Sequence, residues 1–197
     1  MIEHKLPFES FIGGWYIDTK VCDDIVNLFN NSEPKRKYEG LIYNGEGVLD
    51  VDKTQKESID YQFSHPDTDY DLYMTYTSEL QKVLNKYSER YEEANGVAEY
   101  SISERVNIQY YPPGGGYKVW HCERKNGEAP GGKRHLVFMT YLNDVKNGGT
   151  EFMYQKLKAP AKKGLTLIWP TDWTHTHRGV ISKKQEKYIV TGWFSYV

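Results

Sequence analysis

From about residue 102 to the carboxyl terminus the chain consists of short runs rich in β-branched and aromatic residues: "SERVNIQYY", "GYKVW", "RHLVFMTYL", "TEFMYQ", "LTLIW" and "KYIVTGWFSY". Such runs are too short for helices and have the composition of strands. Turn chemistry separates them, in "PPGGG", "APGGK", "KNGG" and "APAKKG". Asn147-Gly148 between two runs is a hairpin signal, because both residues tolerate positive φ. Many short strands joined by such turns predict a closed or double-layered antiparallel structure.

Upstream the period changes. In "TKVCDDIVNLFNNS" Val21, Ile25, Leu28 and Phe29 recur at helical spacing, with Asp18 or Thr19 able to cap the start. In "DYDLYMTYTSELQKVLNKYSERYEEAN" Leu72, Tyr76, Leu80, Val83 and Tyr87 form one apolar stripe, which predicts core packing. The polar stretch between them, with "PKRK" at 34 to 37, reads as a solvated loop. At 197 residues the chain fits one domain, residues 1–197, with a helical part over 1–101 packed on a β core over 102–197.

Charge is nearly balanced, 25 basic against 27 acidic residues, so no general nucleic-acid surface is expected. The first residues, "MIEHKLPFESFIGGWYI", are broken by charges and proline and read as neither signal peptide nor membrane span. Cys22 and Cys122 have no CxxC spacing and are expected as free thiols in a reducing, cytoplasmic setting.

The chemistry is concentrated in six histidines. If "GYKVWHCE" is extended, His121 and Glu123 point to one side and Cys122 to the other. Imidazole and carboxylate together suit Fe(II) and similar divalent ions. In "WPTDWTHTHRGV" His175 and His177 again share a face, and either can return to the rim of a barrel. Two histidines and one carboxylate make a facial triad with open positions, although zinc could use the same three ligands. Lys187 follows, sharing one strand face with Ile189, Thr191 and Trp193. A lysine among apolar residues on an inner face demands a partner. A dicarboxylate would satisfy it, with Thr191 and a tyrosine hydroxyl adding hydrogen bonds. An edge lysine that discourages aggregation is the alternative.

Taken together, "YYPPGGGYKVWHCE", "RHLVFMTYLNDVKNGGTEF", "KKGLTLIWP" and "THRGVISKKQEKYIVTGWF" resemble the Fe(II)/2-oxoglutarate-dependent dioxygenases, in their prolyl 4-hydroxylase-like branch. The resemblance spans roughly residues 105 to 197, in the family's order. It implies an α+β fold, a double-stranded β-helix (jelly roll) with helices packed against it and a metal at one mouth. It implies that His121, Glu123 and His177 ligate iron and that Lys187 holds the distal carboxylate of 2-oxoglutarate. Tyr111 and Tyr141 match tyrosines of the cosubstrate pocket, and Thr191 and Trp193 fall on the same inner face. The spacing to Lys187 and the following Arg178-Gly179 favour His177 over His175, which becomes a candidate to support a ligand. The family usually has aspartate where this chain has Glu123.

The cofactors implied are Fe(II) and 2-oxoglutarate, with O2 as oxidant and ascorbate in a supporting role. The reaction implied is hydroxylation of an unactivated C–H bond, with succinate and CO2 released. The first substrate expected is a prolyl residue of a protein or peptide; a free amino acid or other small molecule is the second. A metal-binding jelly roll without turnover is the non-enzymatic alternative, and a plain interaction module is a third. The sequence implies no membrane partner and leaves the oligomeric state open.

Overall fold

A computed structural model of the chain describes residues 1–43, 48–63, 69–124 and 130–197. Ala129 of the "APGGK" turn signal lies outside the described residues, as do parts of the stretch between the helices. The first long amphipathic segment forms α1 (Thr19–Asn31), and Asp18 caps it by accepting the Lys20 N–H. The second forms α2 (Tyr70–Arg90), which buries Tyr76, Leu80, Val83, Leu84 and Tyr87. Among the described residues no helix is long and apolar enough to cross a membrane.

In chain order the first half supplies β1 (Ile2–Glu3), β2 (Gly13–Tyr16), β3 (Lys37–Glu39), β4 (Ile42–Tyr43), β5 (Leu49–Asp50), β6 (Lys56–Glu57), β7 (Ile59–Gln62) and β8 (Tyr100–Ser101). The second half supplies β9 (Asn107–Tyr111), β10 (Gly116–Tyr117), β11 (Arg134–Tyr141), β12 (Val145–Phe152), β13 (Leu157–Ala161), β14 (Leu165–Pro170), β15 (His177–Gly179) and β16 (Lys187–Tyr196). All described pairings are antiparallel. The main sheet runs β1-β2-β14-β11-β16-β9-β7-β3, with β8 on the end of β16. A smaller sheet runs β13-β12-β15.

Strand alternation sorts the side chains of the main sheet onto two cores. Leu136 and Phe138 of β11, Ile168 of β14, and Tyr188, Val190 and Phe194 of β16 pack with α1 and α2 residues. Their neighbours Val137, Met139, Tyr141, Leu167, Trp169 and Ile189 pack with Val145, Phe152, Ala159 and Ala161 of the smaller sheet. Covering both faces explains why the strands of this half read as nearly continuous apolar runs.

Three readings of the sequence need correction. The stretch between the helices is not simply a solvated loop: β3 and β7 extend the main sheet beside β9, and Arg36 pairs with the buried Asp69. The main sheet therefore draws strands from both sides of residue 102. Asn147 does take a positive φ, 58°, but no hairpin turns there. The residues lie inside β12, where the register to β13 shifts between Val145 and Thr150. The bend is a bulge within one strand, and it redirects backbone carbonyls. Finally, "LKAPA" is strand β13 despite Pro160, and Gly149 lets it approach: a Cβ there would sit 1.7 Å from the Ala159 carbonyl oxygen.

Candidate metal centre and cosubstrate pocket

His121 and His177 are brought together by the backbone. Each donates its N–H to the other's carbonyl oxygen, at 3.0 and 2.8 Å, in an antiparallel bridge at the end of β15. Directly opposed residues of such a pair carry their side chains on the same face. The two imidazole centroids are accordingly 4.3 Å apart. Glu123, two residues past His121, is tied to the end of β14 through its N–H and the Thr171 carbonyl. Its Oε1 reaches both rings, 3.3 Å from His121 Nε2 and 3.5 Å from His177 Nε2.

The other ring nitrogens fix the tautomers. His121 Nδ1 lies 3.0 Å from the Val119 carbonyl and His177 Nδ1 lies 2.9 Å from the His175 carbonyl. A carbonyl only accepts, so each Nδ1 carries a proton. In the neutral rings each Nε2 then presents a lone pair to the carboxylate, and three acceptors converge on one point with no donor between them among the described residues. That arrangement asks for a cation. One donor atom from each residue lies within 4.8 Å of the other two, and cis ligands at metal distances of about 2.1 Å sit about 3 Å apart. The donor set therefore fits a divalent ion with small adjustment. Burial alone would raise Glu123, but whenever the two imidazoles are protonated their Nε2–H bonds and charge hold its carboxyl well below the ordinary range. Burial, reinforced by His177, lowers His121.

His175 does not join this cluster. Its Nε2 faces the Ser10 carbonyl at 3.0 Å, pinning the amino-terminal turn, and only its backbone carbonyl serves His177. Tyr117 lies flat on His121, with ring centroids 3.7 Å apart. Trp169 meets His177 edge-on at 5.0 Å and Phe152 lies 5.7 Å away, so one side of the centre is apolar.

Lys187 is not an edge lysine. β16 lies between β11 and β9, and Lys187 is only 5% exposed. Its ammonium donates to the Gly148 and Val180 carbonyls at 3.0 and 3.2 Å, and among the described residues no carboxylate pairs with it. Burial lowers its pKa from 10.5 to about 8. The Gly148 carbonyl is available because of the β12 bulge. A Cβ on Gly179 would lie 3.7 Å from the ammonium, and Gly179 shares a strand face with His177 two residues before it. The buried cation and the imidazole therefore open onto the same interior.

The flanking residues divide in two. Tyr141 and Thr150 hydroxyls are 2.6 Å apart and buried. Only one of their two hydrogens is used between them, which leaves the other for an anion. Thr191 donates to the Phe138 carbonyl. Tyr111 places its ring 5.2 Å from the Lys187 ammonium, yet its hydroxyl donates to Gln109 Oε1 at 2.6 Å. Gln109 is held in turn by Asp60, which Lys56 and Ser58 bind at 2.6 and 2.7 Å. Sequence reading missed Gln109, Asp60 and Arg134, since the contacts that join Gln109 to Asp60 and Arg134 to Glu104 span distant parts of the chain. The one available signal for Arg134 was a cation heading an otherwise apolar strand.

Comparison with known proteins bears on this geometry. Residues 106–195 match the sequence profile described as the 2OG-Fe(II) oxygenase superfamily. This segment, a little under half of the chain, is similar to that superfamily. The cofactors of the superfamily are Fe(II) and 2-oxoglutarate, and this oxygenase segment contains all three converging donors and Lys187. A search of curated proteins finds none that matches. Among solved structures, the 2OG complex of a viral collagen prolyl hydroxylase from Paramecium Bursaria Chlorella virus-1 is similar at TM-score 0.69 and 18% identity, covering 95% of this chain and 97% of that one. A Pseudomonas putida prolyl-4-hydroxylase aligns at TM-score 0.66 and 13% identity, over 93% and 92% of the two chains. A Trichoplax adhaerens prolyl hydroxylase, in complex with a peptide fragment of the hypoxia inducible factor oxygen degradation domain, aligns at 0.66 and 16%, over 92% and 83%. At these identities the structures share the oxygenase fold with this chain.

Proposed function

We propose that residues 1–197 form one double-stranded β-helix oxygenase domain that hydroxylates a prolyl residue of a protein or peptide, releasing succinate and CO2. In this reading His121, Glu123 and His177 hold Fe(II), and Lys187 holds the far carboxylate of 2-oxoglutarate. The observation that carries it is the pairing of three converging acceptors with a buried ammonium, open to the same interior, that no carboxylate reaches among the described residues. Bound Fe(II) and 2-oxoglutarate together supply the oxidising power for C–H hydroxylation.

The chain's own residues supply binding and geometry. Val119 and His175 carbonyls keep both Nε2 lone pairs aimed at the metal, the role such carbonyls play for metal-bound histidines. Lys187 neutralises a carboxylate, and the Tyr141–Thr150 hydroxyl pair donates its spare hydrogen to the same ligand. Thr191 stands on the same inner face. Tyr111 contributes its ring as a wall beside the ammonium, with its hydroxyl committed to Gln109. Trp169 and Phe152 exclude water on the His177 side, which strengthens every charged contact inside.

A peptide substrate is supported by the rim. Trp120 precedes His121, with the Arg178 guanidinium 4.4 Å above its ring. Trp173, 66% exposed, packs against the exposed Tyr154 close to His175. Exposed aromatics suit the flat rings of proline-rich segments. The reading carries a cytoplasmic setting as well, in which the buried Cys22 stays a thiol.

Anaerobic protein loaded with Fe(II) and 2-oxoglutarate should show a metal-to-ligand charge-transfer band. Under O2 it should form succinate and add 16 daltons to a proline-containing peptide. The band without any succinate would favour a non-catalytic metal-binding barrel. Succinate formation driven only by free amino acids would move the substrate class.

A further inference from the structure

Glu123 carries one more methylene than the aspartate usual for the family, and with it one more rotatable bond. A longer carboxylate can swing away from the metal, or turn both oxygens onto it and occupy a position the ligands of the reaction need. We infer that Arg134 and Trp193 form a clamp on the outer oxygen of Glu123, which presents the glutamate to the metal through Oε1 alone. This rests on the ligand assignment proposed above.

The two oxygens have separate partners. Oε1 is the one facing both imidazoles. Oε2 accepts from the Trp193 indole N–H at 3.1 Å and lies 3.5 Å from Arg134 Nη1. The same guanidinium nitrogen donates to the Glu123 backbone carbonyl at 3.2 Å, so Arg134 holds the residue at both ends. Arg134 is itself fixed. Glu104 binds it through two bonds of 2.8 and 2.6 Å, and its guanidinium carbon lies 3.5 Å above the Trp193 ring. Ser195 donates to Glu104 in turn. The parts come from β11, β16 and the segment before β9, and each is anchored by something other than Glu123. The clamp therefore exists before metal arrives, and Glu123 loses little further freedom on binding.

An aspartate at 123 would draw its carboxylate back by about one C–C bond, roughly 1.5 Å. Its outer oxygen would leave hydrogen-bonding range of the indole. Arg134 and Trp193 are thus positioning residues matched to glutamate.

The test is a double-mutant comparison. Trp193→Phe removes the N–H while keeping a ring beneath Arg134. In the parent it should raise the anaerobic Fe(II) dissociation constant about tenfold or more, the usual effect of losing a partner of a metal ligand. In Glu123→Asp the same change should cost less than about twofold. The visible absorption of the Co(II)-loaded protein, whose intensity follows coordination number, should change on Trp193→Phe only when residue 123 is glutamate. Equal losses in both backgrounds, or none in either, would overturn the clamp while leaving the metal site standing. A parent that binds neither Fe(II) nor Co(II) would remove the ligand assignment itself, and the clamp with it. Should Trp193→Phe fail to fold by circular dichroism, Glu104→Gln loosens Arg134 from outside the site and makes the same comparison.

Discussion

Replacing Lys187 by methionine keeps a long side chain and removes the charge, and two opposed consequences follow from its surroundings. Lowering the ammonium from 10.5 to about 8 corresponds to about 3 kcal/mol of penalty on its charged form. Against this stand the bonds to the Gly148 and Val180 carbonyls, which the amine makes in either protonation state, each worth about 1 kcal/mol. The two nearly cancel. Lys187→Met should therefore alter metal-free stability at pH 7 by no more than about 1.5 kcal/mol, whereas breaking a buried ion pair costs about 3 to 5. Between about pH 8 and 10.5 the unfolded chain keeps a proton that the folded chain has released, so parent stability rises with pH in that window. Below 8 both forms are protonated and the slope vanishes. The variant lacks this rise. Its 2-oxoglutarate affinity should meanwhile fall by roughly 30- to 1,000-fold, the loss of about 2 to 4 kcal/mol when a charge loses its partner. Urea unfolding reads the first effect. Anaerobic titration of the Fe(II) protein, followed at the charge-transfer band, reads the second. Stability lowered by 3 kcal/mol or more with an unchanged titration midpoint would make Lys187 a structural cation and refute the anchor.

His121→Ala and His177→Ala should each abolish tight Fe(II) binding, whereas His175→Ala should keep it and lower the melting temperature, since that side chain ties the Ser10 turn; calorimetry and metal analysis separate the two. Glu123→Asp should keep turnover within about tenfold, near 1.4 kcal/mol of barrier, and Glu123→Gln should fall much further by succinate assay. Because the free ammonium titrates at about 8, 2-oxoglutarate affinity should be flat below that pH and weaken above it. A flat profile from pH 7 to 9.5 would count against the Lys187 contact.

Much of the candidate site is readable one residue at a time, because its partners are near in sequence or follow a period. His121 and Glu123 are two residues apart, and Lys187 declares itself as a cation in an apolar alternation. The family's motifs order the rest. Other members are legible only through distant contacts. Glu104 and Trp193 meet at Arg134, and Asp60 reaches the Gln109–Tyr111 pair of β9 from a distant strand; no local pattern brings these parts together. β3 and β7 were missed for a similar reason. Their short runs lack a distinctive pattern, and pairing with β9 is what makes them strands.

Periodicity determined the two helices, the main-sheet strands β9, β11, β14 and β16 and the face each of these presents, because a side chain's direction follows from local backbone geometry. It also marked Lys187 as a buried ammonium in need of some partner, since the cost of desolvating an ammonium does not depend on the fold. Tertiary structure decided the rest. Both 175 and 177 are histidines two residues apart in an extended stretch, and only the bridge to His121 turns His177 inward while Ser10 claims His175. Asn147-Gly148 encodes a positive φ, which a hairpin and a bulge both use. The pairing of β12 with β13 selects the bulge and thereby sends the Gly148 carbonyl to Lys187. In each case the local sequence permits two outcomes of similar energy, and hydrogen bonds to residues far along the chain separate them.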